Sequence, residues 1–319
     1  MNSSPIMITI GDRAYEWSAS YTNAQNHPAF AHHGVALGPD GAVYLPNAPA
    51  TELLVIGERT RRVPLPVTEA HGLAVDAAEG VWIADPGIKA VPDGAGQYRD
   101  LVAAGRVVRL DARTGAITSE LAGPGGWRPA AVALHDHGRA DGRVWVADLG
   151  NHEVHCFSRA GERLWSSDGA GSGIPFVRPH ALVVDPRGEV PALVVADLGN
   201  QRLVTLSLDG EYLRATRAGQ CDSPSGLAVH EDALWVAEAS GRLLTFGPDG
   251  GLLAAYGSPI TRPGAAWPNW SRAGRTARPF LRPRKFRSPH GIAITANGEV
   301  FVTEWVIGGR VTRLTPVEV

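Results

Sequence analysis

The sequence has few of the residues and patterns that mark several common classes of protein. Only two of its 319 residues are cysteines, Cys156 and Cys221, and their positions fit neither a disulfide scaffold nor a zinc or redox motif. No run of about 18 apolar residues could cross a membrane, and the first residues lack the basic and apolar segments of a secretion signal. We therefore expect a cytoplasmic protein that has no membrane partner.

A surplus of charge of one sign is missing as well. Lysine occurs only at Lys89 and Lys285, so arginine supplies nearly all of the 30 basic residues, which stand against 32 acids and leave a net charge of −2. This balance gives no overall attraction to nucleic acid or anionic lipid, and we expect no nucleic-acid partner. The hydrophobic share of 44% is enough for a packed core, which excludes extended disorder.

Helical periodicity is also absent, and in its place a repeat fills the chain. Each copy has an alternating apolar stretch, a turn that usually contains Gly, and a strongly apolar stretch that ends in an acid or Asn. The alternation of period two, with 38 glycines and 24 prolines as punctuation, indicates short strands. The six copies begin at His33, His71, Ala130, His180, Ser225 and His290.

The repeat predicts the fold. A third strand follows in each copy, as in Glu153 to Ser158 and Arg202 to Ser207, and a fourth strand follows a Gly turn, so each full copy supplies a four-stranded antiparallel sheet. Six such sheets close radially in a six-bladed β-propeller, which protects the sheet edges, and we expect one all-β domain over residues 1–319. The last copy has only three strands, and we expect Ile6 to Trp17 to supply the fourth strand and close the ring.

Two strings in the middle of the chain, WVADLGNHEVHCFSRAGE and VVADLGNQRLVTLSLDGE, look like NHL repeats. The resemblance covers nearly the whole chain from His33 onward and implies the same propeller fold. It says little about function, because propellers host hydrolases, lyases, sensors and docking platforms.

Three of the six residues that open the copies are histidines on alternate blades: His71, His180 and His290. The first strand of each blade lines the channel of a propeller, and alternate blades of six are related by about 120°. The three imidazoles are therefore expected to meet on the axis, where three histidines and an open position would form a metal site. The alternative is that each imidazole only bonds a neighbouring carbonyl and stabilises its turn.

Imidazole ligands without thiolates suit Zn²⁺, Fe²⁺, Mn²⁺ or Ni²⁺, and we take Zn²⁺ as the default. His33 opens the first copy and interrupts the alternation of histidines. It is a candidate for a fourth ligand, a proton shuttle or a filler of the channel, and the adjacent His32 leaves its register open.

The histidine pattern also resembles an enzyme family. AHGLAVD at His71, RPHALVVD at His180 and SPHGIAIT at His290 are similar to the segments that hold zinc in peptidyl-α-hydroxyglycine α-amidating lyase. That resemblance implies that these three residues are zinc ligands. The family's Arg and Tyr in two neighbouring loops are replaced here by LPNA and LGN, so the peptide substrate does not carry over. Gluconolactonase-type propellers bind metal through carboxylates and Asn, in place of which this chain has histidine.

Candidates for the proton-transfer group lie on the face at which the histidines open. The loops after the second strands on that face begin with a ring of polar residues, and carboxylates there often cap the following turn. If one carboxylate is catalytic, we favour Asp148 or Glu304; Tyr98, in an insertion, is a further candidate. The ring consists of Asn47, Asp85, Asp148, Asp197, Glu238 and Glu304.

Three insertions depart from the repeat on the same face: Trp17 to His32, 86–105 and 258–289. Their shared position predicts a lid or substrate cover. The third carries eight cations and no acid. It either pairs with the ring of carboxylates or recognises a carboxylate or phosphate on the substrate, for which arginine is well suited.

These features together predict a metal-dependent lyase that acts on a small hydroxylated molecule, of hemiaminal or α-hydroxy type and neutral or anionic. Two alternatives stay open. One is a hydrolase or lactonase that uses metal-activated water, and the other is a non-catalytic NHL platform whose partner binds the insertions. A monomer and a homodimer are both compatible with the sequence.

Overall fold

The computed structural model describes residues 5–19, 27–31, 34–135, 142–259, 268–272 and 275–317, with the backbone alone at 270–272. Strands form where the side chains alternate between a buried and an exposed face, and they stop at turns rich in Gly, Pro and Asp. The helices of the described part are two single 3₁₀ turns, Ala170–Ser172 and Leu198–Asn200, and no helix there is long and apolar enough to cross a membrane.

The strands are numbered in chain order. The first fourteen are β1 Met7–Ile10, β2 Arg13–Ser18, β3 Ala36–Leu37, β4 Val43–Pro46, β5 Glu52–Ile56, β6 Thr60–Pro64, β7 Gly72–Val75, β8 Gly80–Asp85, β9 Ile88–Pro92, β10 Tyr98–Val102, β11 Arg106–Asp111, β12 Ile117–Leu121, β13 Pro129–His135 and β14 Arg143–Asp148. The other fifteen are β15 Glu153–Ser158, β16 Arg163–Ser167, β17 Pro179–Asp185, β18 Ala192–Asp197, β19 Arg202–Ser207, β20 Tyr212–Ala215, β21 Pro224–His230, β22 Ala233–Glu238, β23 Arg242–Phe246, β24 Leu252–Tyr256, β25 Trp270–Arg272, β26 Arg275–Ala277, β27 Pro289–Ile294, β28 Val300–Glu304 and β29 Arg310–Val317.

Six antiparallel sheets form the blades of a β-propeller, as the repeat predicts. From the innermost strand outward, blades one to five are β3-β4-β5-β6, β7-β8-β11-β12, β13-β14-β15-β16, β17-β18-β19-β20 and β21-β22-β23-β24. Blade six is β27-β28-β29-β2-β1. Each innermost strand contacts the next around the axis, and β27 of blade six contacts β3 of blade one. The ring is therefore closed.

The N-terminal hairpin completes blade six. Strand β2 pairs with β29, and β1 adds a fifth strand on its outer side. Tyr15 and Trp17 of β2 are buried, and they pack against Trp235 of blade five and against Phe286. The predicted closure by Ile6 to Trp17 is confirmed, and the blade has one strand more than the sequence repeat indicates.

The hydrophobic core lies between the blades. The second strands, such as β8 and β14, are buried along almost their whole length because both faces of each blade are covered by its neighbours. A separate apolar cluster fills each of the six gaps between adjacent blades. This packing fixes the angles between blades and so the positions of the innermost strands around the axis.

The insertions contact one another. Residues 86–105 contain the hairpin β9-β10, and residues 258–289 contain the hairpin β25-β26. The hydroxyl of Tyr98 donates to the carbonyl of Pro28 at 2.5 Å, and its ring packs edge-on against Phe30. The amide of Thr276 donates to the carbonyl of Gly96 at 3.0 Å. The second insertion thus joins the first and the third.

Candidate metal centre

Three histidines from alternate blades meet at the axis of the propeller. The ring centroids of His71, His180 and His290 lie 4.6 to 4.9 Å apart. One ring nitrogen of each lies within 4.8 Å of those of the other two, and all three side chains are buried. The predicted convergence of these residues is present in the structure.

A break in strand pairing positions two of these side chains. In blade four Pro179 pairs with Asp197 and Ala181 with Ala196, so His180 is the extra residue of a β-bulge. His290 lies at a similar irregularity at the start of β27. A bulge leaves one residue out of the ladder and redirects its side chain. Here it turns the imidazole away from the blade and toward the axis.

Two of the imidazoles are held by a backbone carbonyl of the next blade. The Nδ1 atom of His71 lies 2.6 Å from the carbonyl oxygen of Ala130, and that of His180 lies 2.8 Å from the carbonyl oxygen of Ser225. A carbonyl can only accept, so Nδ1 must be the protonated nitrogen and Nε2 the one with the lone pair. This is the tautomer and the outer contact typical of metal-binding histidines.

Burial keeps His71 and His180 uncharged. It lowers the pKa of His71 to about 4 and that of His180 to about 3, and the neighbouring His71 lowers the latter further. Both imidazoles are therefore neutral near pH 7, which is the state that binds metal. The hydrogen bonds to the Ala130 and Ser225 carbonyls oppose the shift without cancelling it.

Glycine lets the innermost strands approach one another around the histidines. A Cβ atom on Gly72 would lie 2.5 Å from the carbonyl oxygen of Ala130, and one on Gly226 would lie 2.4 Å from that of His290. The close approach leaves a cavity of about 70 Å³ on the axis, lined by the three imidazoles, backbone and small or apolar side chains. No Asp or Glu of the described residues lines it.

The donor set fits a divalent metal ion with a preference for nitrogen ligands. Three buried imidazoles come from three different blades, and two are fixed in the tautomer that leaves Nε2 as the ligand atom. Three nitrogens at 2.0–2.1 Å from zinc lie about 3.3 Å from one another in a tetrahedral site. The observed spacing of up to 4.8 Å requires only small side-chain movements to reach this geometry.

No protein-family model matches the sequence, and no curated protein matches it. The resemblances to NHL repeats and to the amidating lyase are therefore not confirmed.

Solved structures of other propellers match most of the chain. A streptogramin B lyase is 14% identical, with a TM-score of 0.59 over 95% of this chain and 98% of that chain. A catalytically inactive His-to-Ala variant of virginiamycin B lyase from Staphylococcus aureus, with quinupristin, is 14% identical, with a TM-score of 0.58 over 95% and 100%. A gluconolactonase from Xanthomonas campestris is 16% identical, with a TM-score of 0.62 over 99% and 96%. These similarities show a shared fold.

The two carboxylates predicted as proton carriers are held inside their blades. Asp148 accepts from the amides of Arg128 and Gly150, from the Asn151 side chain at 2.8 Å and from His155 Nε2 at 3.2 Å. Burial alone would raise the pKa of Asp148, but these hydrogen bonds outweigh it and lower the pKa. The structure thus places Asp148 apart from the lining of the histidine cavity.

Glu304 has the same kind of surroundings. It accepts from the amides of Arg287 and Ser288 and forms an ion pair with Arg310, which is equally buried. Asp197 repeats the pattern in blade four, where Arg202 is its partner. The basic insertion contacts this ring at Glu304 through the backbone amides of Arg287 and Ser288. The ion pairs of Asp197 and Glu304 use arginines of the blades. The predicted pairing of the insertion's cations with the ring stays a prediction.

Of the other two predicted catalytic residues, the structure describes one. Tyr98 lies in the contact between the first and second insertions, where burial raises the pKa of its hydroxyl, and it does not line the histidine cavity. His33 lies outside the described residues. The roles of both as proton carriers stay predictions.

A buried ion pair next to His71 was not predicted from the sequence. Glu69 and Lys89 are both buried, and Lys89 Nζ lies 3.2 Å from Glu69 Oε2 and 2.7 Å from the carbonyl oxygen of Pro49. Burial raises the pKa of Glu69 to about 8, against the effect of Lys89. The pair ties the hairpin β9-β10 to blade one and to the segment before His71. The sequence signal that could have revealed this pair is that lysine occurs at only two positions.

Both cysteines are buried. Cys156 lies in strand β15 and Cys221 in the loop before β21, and burial raises the pKa of each thiol to about 12. Both thiols are therefore protonated near pH 7. A thiol in this state is a poor nucleophile and a poor metal ligand.

Proposed function

We propose that the protein is an enzyme that binds a divalent metal ion, zinc by default, through His71, His180 and His290. In this proposal it acts as a lyase on a small hydroxylated substrate at the propeller axis. The observation that carries the proposal is the convergence of three buried imidazoles, of which His71 and His180 are neutral and bonded at Nδ1 to carbonyls. A purely structural histidine would need only its own carbonyl contact, and not two further histidines within 5 Å of it.

The chain's own groups would bind and orient the reacting part of the substrate. A bound metal ion would supply Lewis-acid polarisation of a substrate oxygen. The cavity of about 70 Å³ has room for a functional group of only a few atoms, so the remainder of the substrate would lie outside it. Apart from the imidazoles, its lining is backbone and small or apolar side chains. The group that moves the proton remains a prediction among His33, Tyr98, Asp148 and Glu304.

The lyase reading is supported by the fold shared with streptogramin B lyase and with virginiamycin B lyase, of which a His-to-Ala variant is catalytically inactive. The shared fold with a gluconolactonase supports a second candidate, a metal-dependent hydrolase or lactonase. The set of three histidines is compatible with both chemistries, since each needs a polarised oxygen at the axis.

Metal content tests the proposal. Purified protein, loaded with Zn²⁺ and then desalted, is expected to retain about one equivalent by elemental analysis, and His180→Ala is expected to lose most of it. His135→Ala is the matched control, because His135 lies in blade three, outside the histidine cavity. Less than about 0.2 equivalents in the wild type, unchanged in His180→Ala, contradicts both enzyme candidates and leaves a non-catalytic binding platform.

Isotope labelling separates the two chemistries. Small α-hydroxy compounds and lactones are incubated with the zinc-loaded protein in H₂¹⁸O, and the products are analysed by mass spectrometry. A lyase is expected to form product without solvent oxygen, whereas a hydrolase incorporates one labelled oxygen for each bond broken. One labelled oxygen in every product, beyond the exchange that the product carbonyl undergoes alone in H₂¹⁸O, contradicts the lyase and supports the hydrolase.

A further inference from the structure

A second cavity lies away from the histidines, where blade five meets the third insertion. Its volume of about 350 Å³ is within the range of small-molecule sites. Tyr256 at the end of β24 forms part of one wall, and the segment 280–287 forms much of the rest. The cavity has no lining residue in common with the histidine cavity.

Four cations line this second cavity, Arg282, Arg284, Lys285 and Arg287, and no Asp or Glu lines it. Arg282, Arg284 and Lys285 make no ion pair within the described part of the chain. The sequence from 258 to 289 contains no acid at all. Unbalanced positive charge in a concave site attracts an anion, and guanidinium groups match the geometry of carboxylate and phosphate.

The backbone that carries the cations is tied to the propeller. The hydroxyl of Tyr256 donates to the carbonyl of Arg284 at 2.7 Å. Arg310 donates to the carbonyls of Arg282 and Lys285 at 3.0 and 2.5 Å, and its own charge is balanced by Glu304. A blade-borne arginine thus uses its donors to hold the segment, which leaves the segment's own cations to face a ligand. Such fixing reduces the entropy lost on binding.

An exposed aromatic ring accompanies the charges. Phe280 is 76% exposed, and the guanidinium carbon of Arg282 lies 5.7 Å from the centre of its ring. Phe286 and Tyr256 add aromatic surface to the lining. An anion that also has a flat apolar body would cover Phe280 while its charged group meets the cations.

We propose that this cavity binds a small organic anion with an aromatic or apolar body and a carboxylate or phosphate head group. This site is additional to the proposed metal centre and does not depend on it. The volume sets the size of the ligand, the lining cations set its charge, and Phe280 sets its apolar part.

Calorimetry with three probes tests the charge and the apolar body separately. The probes are 2-naphthoate, the neutral alcohol 2-naphthylmethanol and inorganic phosphate. Saturable 1:1 binding of 2-naphthoate is expected, with binding at least about tenfold weaker for the other two, because each lacks one of the two recognised features. Absence of saturable 2-naphthoate binding, or equal binding of the alcohol, overturns the proposal.

Variants locate the binding. Arg284→Asn removes a cation at a backbone φ of 61°, a conformation that Asn tolerates, and is expected to weaken 2-naphthoate binding about tenfold. Arg59→Asn, an exposed turn arginine, is the matched control and is expected to bind as the wild type does.

Phe280→Ser tests the apolar part of the site in the same assay and is expected to weaken 2-naphthoate binding severalfold. Its control is Val190→Ser, because the Val190 side chain is 75% exposed and does not line this cavity. His180→Ala is expected to bind 2-naphthoate as the wild type does, because His180 does not line this cavity. Unchanged binding in both Arg284→Asn and Phe280→Ser overturns the proposal.

Discussion

In blades two to six, a buried carboxylate at the end of the second strand connects the blade to the segment that leads into its innermost strand. Glu304 accepts from the amides of Arg287 and Ser288, directly before His290, and pairs with Arg310. Amides in such an irregular segment have no strand partner, and a buried amide without an acceptor is costly. The carboxylate therefore holds the entry to the histidine in place.

Replacing this carboxylate should reduce stability. Glu304→Gln leaves the buried guanidinium of Arg310 without a counter-ion, so we expect the free energy of unfolding to fall by about 3 to 5 kcal/mol. Glu231→Gln is the control, because the Glu231–Arg13 pair is exposed and its loss should cost less than about 1 kcal/mol. Urea unfolding measures both. A Glu304→Gln variant as stable as the wild type but inactive would favour the catalytic role predicted for Glu304.

The convergence of the histidines could be predicted from the sequence because it depends only on the repeat. His71, His180 and His290 occupy one position of that repeat on alternate blades, and ring symmetry does the rest. The groups that orient them could not be predicted, because they are backbone carbonyls of Ala130 and Ser225. Any residue type has a carbonyl, and only the bulge pattern makes these two available.

The sequence predicts some strands more clearly than others. Strand β15 spans Glu153–Ser158 and β19 spans Arg202–Ser207, as the alternation predicts. The hairpins β9-β10 and β25-β26 lack that alternation. Strand β10 is largely exposed, so burial does not shape its composition. The position of the ends of the chain in blade six was predictable, since a closed ring needs the missing outer strand.

The N-terminal hairpin is the element whose loss tests ring closure. Deletion of residues 1–18 removes β1 and β2 and makes strand β29 an edge strand. It also exposes the apolar surface that Tyr15 and Trp17 cover. We expect a truncated protein that aggregates or melts at least about 10 °C lower, because removing one buried Trp alone costs about 3 to 5 kcal/mol.

A peptide supplied in trans provides the control. A synthetic peptide of residues 5–19 can restore the two strands by pairing with the exposed edge, so it should raise the melting temperature of the truncated protein. A peptide of the same composition in scrambled order should not. A truncated protein that is as stable as the wild type contradicts the role of the hairpin in closing the ring.

The closed ring brings the three histidines together. The stability of the ring must therefore offset the free energy lost by burying them. Each blade contributes one innermost strand, and six apolar clusters fix the blades relative to one another. The histidines are uncharged and crowded only in the closed ring, whereas in the unfolded chain each imidazole is solvated with a pKa near 6.5. The acid sensitivity of folding should report this difference.

The direction in which stability changes with pH follows from proton uptake. Without metal, the folded chain has His71 and His180 at pKa values of about 4 and 3, so below about pH 6.5 the unfolded chain binds protons that the folded chain does not. Stability is expected to fall as the pH drops from about 6.5 toward 4, by about 2 kcal/mol for each of these histidines at pH 5. Urea unfolding of EDTA-treated protein at pH 7 and pH 5 measures this loss. In His180→Ala the loss should be smaller by about the share of one histidine, whereas an identical loss in the variant and the wild type would show that the histidines are not buried together in the folded ring.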